Sequence, residues 1–275
     1  MDLKEIHNAL ICEIQEALLY VAAGYPVARI GREIEMLSEY FQVLGICHIL
    51  EFADQERLRE NLVRSGFARR YFLRKSREDG NDKDARLALG RTEAFLCGLA
   101  AGNLKLAREI ADLSINTWHP DWEYEDDFCY YLFLHRFVQE EAPVRAELAD
   151  LLLKFEKVLE GGRSPRLDVC KALFARNDDA LRAALTALME QRDEEMIEAR
   201  ERNLERDPAA CVCWARSFVS IEGLALLRVA ELAGMSPLEP GEELPLCPTL
   251  AMLPISDKDY LDMFTNIENE LARGR

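Results

Sequence analysis

No stretch of this 275-residue sequence approaches twenty uninterrupted apolar residues, so no segment reads as a membrane-spanning helix. The first 23 residues mix charge (Asp2, Lys4, Glu5, Glu13, Glu16) with apolar side chains. They lack the basic start and apolar centre of a secretion signal, and the expectation is a cytoplasmic protein. Phosphate loops of the GxGxxG and GxxxxGKS/T types are absent, as are HExxH, the GxSxG elbow and EF-hand spacing. Three residues before the histidines stand Lys4, Gly45, Asn116 and Leu132, so the ExxH pair of a di-iron bundle is missing too. These gaps point away from nucleotide and metal enzymes, and no cofactor is expected. The eight cysteines follow neither a disulfide framework nor a zinc spacing, and Cys211-Val-Cys213 sends its two thiols to different helix faces. They read as small buried hydrophobes in a reducing compartment.

Sustained period-two alternation is also absent, whereas helical periodicity runs nearly throughout. Ile6, Leu10, Ile14, Leu18 and Val21 line one face before Gly24-Tyr25-Pro26 breaks the helix. A second helix is predicted from about Val27 to Ala53 and a third through Leu58, Leu62, Phe67 and Phe72 to about Ser76. Pro165 sits where a first-turn proline belongs. The most apolar helix is predicted as Ala209 to Ala233, followed by a ribbon carrying Pro237, Pro240, Pro245, Pro248 and Pro254 and a last helix from Asp257 to Leu271. Leu99, Ala101, Asn103 and Arg108 recur at a constant offset as Leu173, Ala175, Asn177 and Arg182, each time as helix, Asn-containing turn, helix. The fold class is therefore all-α, a multi-helix bundle or irregular helical-repeat-like array with a proline-rich extended segment near the C-terminus. A chain of this length buries roughly three quarters of its unfolded surface, enough for one domain over residues 1–275, with a division into 1–115 and 116–275 as the alternative.

Fifty acidic against thirty-four basic residues give a net charge of −16, which repels nucleic acid and anionic membranes and attracts basic proteins. The basic string Arg64 to Arg77 reads as a solvated helix face that pairs with neighbouring acids. The least regular segment, residues 116–124, sets Trp118, Trp122 and Tyr124 beside Asp121 and Glu123, and the acids Asp126 and Asp127 open the apolar helix that follows. Such large amphipathic anchors beside carboxylates suit recognition of a protein. The acidic helix carrying Glu194, Glu195, Glu198 and Glu201 borders the same repeat-like unit and extends the candidate surface. Helix-dipole stabilisation competes as the explanation for the acids around residue 125. His119, with Asp121, Glu123 and Asp126 close behind it, is the one weak candidate for a metal-dependent hydrolase. Glu222, inside the apolar run Ile221 to Leu232, reads as a satisfied buried or boundary acid rather than a contact.

The segment Ala215 to Ile255, with Ser220 and Glu222-Gly-Leu-Ala-Leu-Leu-Arg228 at its centre, resembles the immunity protein 49 family of bacterial polymorphic-toxin systems. The helix start at Asp121 to Phe128 and the hairpin Leu173 to Leu188 are similar to the family as well, and the likeness extends from about Trp118 to Ile255. The resemblance implies an all-α cytoplasmic protein, not an enzyme, that neutralises a cognate toxin, often a nuclease; it supplies no catalytic residues. A helical-repeat adaptor for another protein is the alternative reading.

Overall fold

The computed structural model describes residues 3–91, 93–139, 145–197, 214–239, 241–248 and 260–273. Among them every regular element is helical: α1 (Leu3–Ala22), α2 (Val27–Phe52), α3 (Gln55–Glu78), α4 (Ala94–Ala100), α5 (Leu104–Leu113), α6 (Glu125–Phe137), α7 (Arg145–Val158), α8 (Pro165–Ala175), α9 (Asp178–Glu195), α10 (Ile221–Leu232) and α11 (Met263–Arg273), with 3₁₀ turns at Ala85–Leu87 and Leu89–Arg91. No described helix is long and apolar enough to cross a membrane.

Helices α2 and α3 form an antiparallel hairpin because only Ala53 and Asp54 separate them. Ala53 takes a left-handed conformation, and the Asp54 side chain accepts the Arg57 N–H to cap α3. The Ser38 hydroxyl reaches the Ser65 carbonyl at 3.1 Å, and Gly45 lies against the Leu58 backbone, so the two helices run close together in opposite senses. Buried apolar residues from Ile6 to Phe264 make one contiguous cluster. Helix α10 lies deep within it: every residue from Ile221 to Ala230 is buried. Gly223 lets it do so, since a Cβ there would stand 2.3 Å from the Cys247 sulfur and 2.7 Å from that of Met189.

The repeat seen in the sequence is a repeat in structure. Asn103 caps α5 through the Leu106 N–H at 3.1 Å, and Asn177 caps α9 through the Ala180 N–H at 3.0 Å. Five residues on, Arg108 donates Nε to the Val138 carbonyl at 2.8 Å and Arg182 donates Nε to that of Pro237 at 2.6 Å. The copies differ before the cap, where both chains turn left-handed: Gly102 at φ 71° in the first, Arg176 at φ 52° in the second. A side chain in that region costs energy that glycine does not incur. Replacing exposed Arg176 by Gly is therefore expected to stabilise the protein by about 1 kcal/mol, or about 2–4 °C in a thermal melt. A lowered melting temperature would show that the Arg176 side chain is needed where it stands.

The last helix begins at Met263 and not at the predicted Asp257, with Tyr260 to Asp262 outside it, and two further expectations are corrected. The helix predicted from Ala209 to Ala233 is broken: the chain turns at Ser217 and Phe218, and the Ser220 hydroxyl accepts the Gly223 N–H to start α10 afresh; residues 209–213 lie outside the described residues. The basic string on α3 does pair with acids, Arg64 with Glu60, Arg70 with Glu109 and Asp262, and Lys75 with Glu78 and Glu268. Arg69 does not belong to that solvated face. It is buried, and its guanidinium gathers the carbonyls of Arg86, Leu87 and Ala88. Desolvation lowers its pKa to about 10, so it remains charged at neutral pH.

Candidate functional site

The site begins where Arg69 fixes the chain entering the 3₁₀ turn Leu89–Arg91. The Glu123 carboxylate then accepts the N–H groups of Leu89 at 3.1 Å and Gly90 at 2.8 Å, tying the 116–124 segment to that turn. Burial pushes the Glu123 carboxyl above its usual range, against these two hydrogen bonds and Arg69, which favour the charged form. Trp118 is partly buried against the core and donates its indole N–H to the Glu123 carbonyl at 3.0 Å. The His119 ring stacks on Trp122 with centroids 4.0 Å apart. Among the described residues no group of three or more His, Cys, Asp or Glu is arranged to hold a metal ion.

Between the turn and the loop lies an open cleft of about 420 Å³, lined by Gly90, Arg91 and residues 120–124 and closed by Asp127. Tyr124 stands at its rim with 80% of its surface exposed, and Asp121 is exposed beside it. A second, polar cavity of about 250 Å³ shares Gly90, Arg91 and Asp127 and continues inward to Glu39, Glu93, Tyr131, Arg166 and Arg216.

Behind the cavities runs a chain of charges from separate elements. Arg166, in the first turn of α8, donates Nη1 to Asp127 at 2.7 Å and grips both oxygens of Glu222 at 2.8 and 3.2 Å, its plane 4.8 Å from the Tyr130 ring. This confirms Glu222 as a paired buried acid. Arg192 of α9 stands 4.0 Å from Glu222 and 3.6 Å from Glu93, and Arg216 stands 3.8 Å from Glu93 and 3.7 Å from Glu39. Burial disfavours the Glu93 anion, but Arg216, Arg192 and a hydrogen bond from Gln42 outweigh it and hold the carboxyl below its usual range. At Asp127 and Glu39 burial wins, and both carboxyls lie above theirs despite Arg166 and Arg216.

The structure sorts the residues singled out in the sequence. Asp121, Trp122, Glu123, Tyr124 and Asp127 come together around one cleft, while Glu123 and Asp127 are already engaged, by backbone N–H groups and by Arg166. Asp126 is half-buried in the first turn of α6 outside the cleft lining. Exposed Glu194 and Glu195 close α9 two and three residues after Arg192, so the ion pairs Asp127–Arg166–Glu222–Arg192 lead from one acidic segment to the other. Glu198 and Glu201 lie outside the described residues. Sequence reasoning missed Glu39, Glu93, Arg91, Arg166 and Arg216. An arginine directly after the first-turn proline of α8, where the helix dipole disfavours a cation, was the only local signal.

Comparison with curated proteins and with solved structures returns no match. Residues 50–250 match the family model of immunity protein 49, a span that includes the cleft, α10 and all of the charge network behind it except Glu39. A match over that much of the chain identifies it: the protein belongs to the immunity protein 49 family.

Proposed function

We propose that this protein acts in the cytoplasm, without catalysis of its own, by binding a cognate toxin and occluding it with an acidic and aromatic surface around the cleft. Family membership carries the reading, and the cleft supplies the surface. Tyr124 and Asp121 offer an amphipathic anchor and a free charge at the rim, and Glu194 and Glu195 extend the acidic field. A net charge of −16 suits a basic toxin, and a nuclease is the enzyme class whose phosphate-binding cleft carboxylates would block.

Titration with a candidate cognate toxin tests the proposal. Tight one-to-one binding is expected, with an association rate that falls about tenfold or more between low and high salt as screening shortens the reach of the field. An unchanged rate would remove the electrostatic part of the reading, and no binding at any salt would remove the reading itself.

A further inference from the structure

We infer that the inner cavity is a receptor for one cationic side chain, an arginine of the protein partner, which enters through the cleft and is held by Glu39, Asp127 and Tyr131. The inference rests on the toxin-binding reading and adds the chemistry of its central contact.

Hydrogen-bonding capacity is unevenly used around the cavity. The Arg166 guanidinium has all three nitrogens engaged by Asp127 and Glu222; Arg216 donates Nη2 to Gln42 and is otherwise charge-paired with Glu39 and Glu93, its Nε 3.8 Å from Glu93; and Arg91, which also lines the cavity, donates to Glu35 outside it. The cavity's acceptors are not used to the same degree. Glu39 accepts no hydrogen bond among the described residues; its contact with Arg216, at 3.7 Å, is a charge pair only. Asp127 uses one oxygen, Oδ1, on Arg166 and leaves the other without a hydrogen bond among the described residues. Tyr131, only 3% exposed, lines the same cavity and makes a ring contact with Tyr130 but no hydrogen bond among the described residues. Two under-used carboxylates and a buried, unpartnered phenol facing one polar space call for a donor-rich cation, and a guanidinium has five donors in a planar fork. Burial raises the carboxyls of Glu39 and Asp127 despite the neighbouring arginines, so a further cation brought against them would be favoured.

Access is also provided. Gly90 lines both spaces, and a Cβ there would stand 3.2 Å from Glu123 Oε2, 3.3 Å from the Asp127 Cβ and 3.5 Å from the Tyr131 ring. A side chain at that position would fill the junction through which an arginine passes inward from the rim at Tyr124. At about 250 Å³ the cavity is far larger than a single water needs.

The test uses the full chain and two probes. N-acetyl-arginine amide is titrated by calorimetry, with the uncharged isostere N-acetyl-citrulline amide as comparator, and the toxin is titrated in parallel. The arginine probe should saturate the wild type and the citrulline probe should not. Glu39→Gln and Tyr131→Phe, each close in shape to the native residue and checked for folding by circular dichroism, should each weaken both the arginine probe and the toxin by about tenfold. Equal affinity of wild type and both variants for the toxin, or no discrimination between the probes, would overturn the inference and leave toxin binding standing. Should the wild type bind no toxin, the proposed function fails, and the probe titrations still decide the cavity on their own.

Discussion

Arg166→Met is expected to destabilise the protein by about 3–5 kcal/mol, because it leaves a buried carboxylate without its principal partner. The Glu222 side chain is only 2% exposed, and with Arg166 gone its nearest base is Arg192 at 4.0 Å, beyond hydrogen-bonding distance. Arg166 itself is 30% exposed and would keep water and Asp127 if Glu222 were removed instead, so Glu222→Gln should cost less. The double variant, Arg166→Met with Glu222→Gln, should recover much of the loss, since an isolated ion is costlier to bury than a neutral pair. Urea unfolding of the four proteins closes the cycle. A cost below about 1 kcal/mol for Arg166→Met would mean that water screens the pair as it does at a surface.

The second large effect concerns acid. His135 of α6 is buried, its ring 4.1 Å from Phe95, and neither ring nitrogen has a hydrogen-bond partner among the described residues. Desolvation, helped by the charges of Arg69 and Arg136, lowers its pKa to about 3. The unfolded chain, with a histidine pKa near 6.5, therefore binds a proton that the folded chain refuses. The stability concerned is fully present above pH ~6.5, is lost at up to ~1.4 kcal/mol per pH unit as the pH falls, and stops declining near pH 3. His135→Leu keeps a similar volume and removes the unsatisfied nitrogens. It should gain about 1 kcal/mol at pH 7 and about 2 kcal/mol more at pH 5 relative to wild type. An equal difference at both pH values would mean that His135 is protonated in the folded state.

These effects also mark where the sequence was readable. The long helices were legible because Ile6 to Val21 and Ile30 to Phe41 keep a helical stripe and because Pro26 and Pro165 punctuate them. The hairpin repeat was legible in Asn103 and Asn177, which cap their helices as the pattern required. The break before α10 was not, because Ser217 and Ser220 sit inside an apolar run and a cap competes there with continuous periodicity. Of the site, the cleft wall of residues 120–124 was visible as a composition of acids and aromatics. That Glu123 and Asp127 are engaged was not, since their partners Gly90 and Arg166 lie 33 and 39 residues away. The inner cavity draws Glu39, Glu93, Tyr131 and Arg216 from separate parts of the chain, and only the fold brings them together.

That distinction decides which residues can test the central claim. Charge reversal at Glu123 or Asp127 would unsettle the 3₁₀ turn or the Arg166 network and confuse folding with binding. Exposed Asp121 and Tyr124 have no such ties among the described residues, and Asp121→Lys with Tyr124→Ala should leave the melting temperature nearly unchanged. The most direct measurement is growth of cells expressing the cognate toxin together with either wild type or this double variant, at matched levels of folded protein. Wild type should restore growth and the double variant should fail to do so. Full protection by the double variant would contradict the claim that the toxin is held at the cleft, and failure of wild type to protect would contradict the immunity function itself.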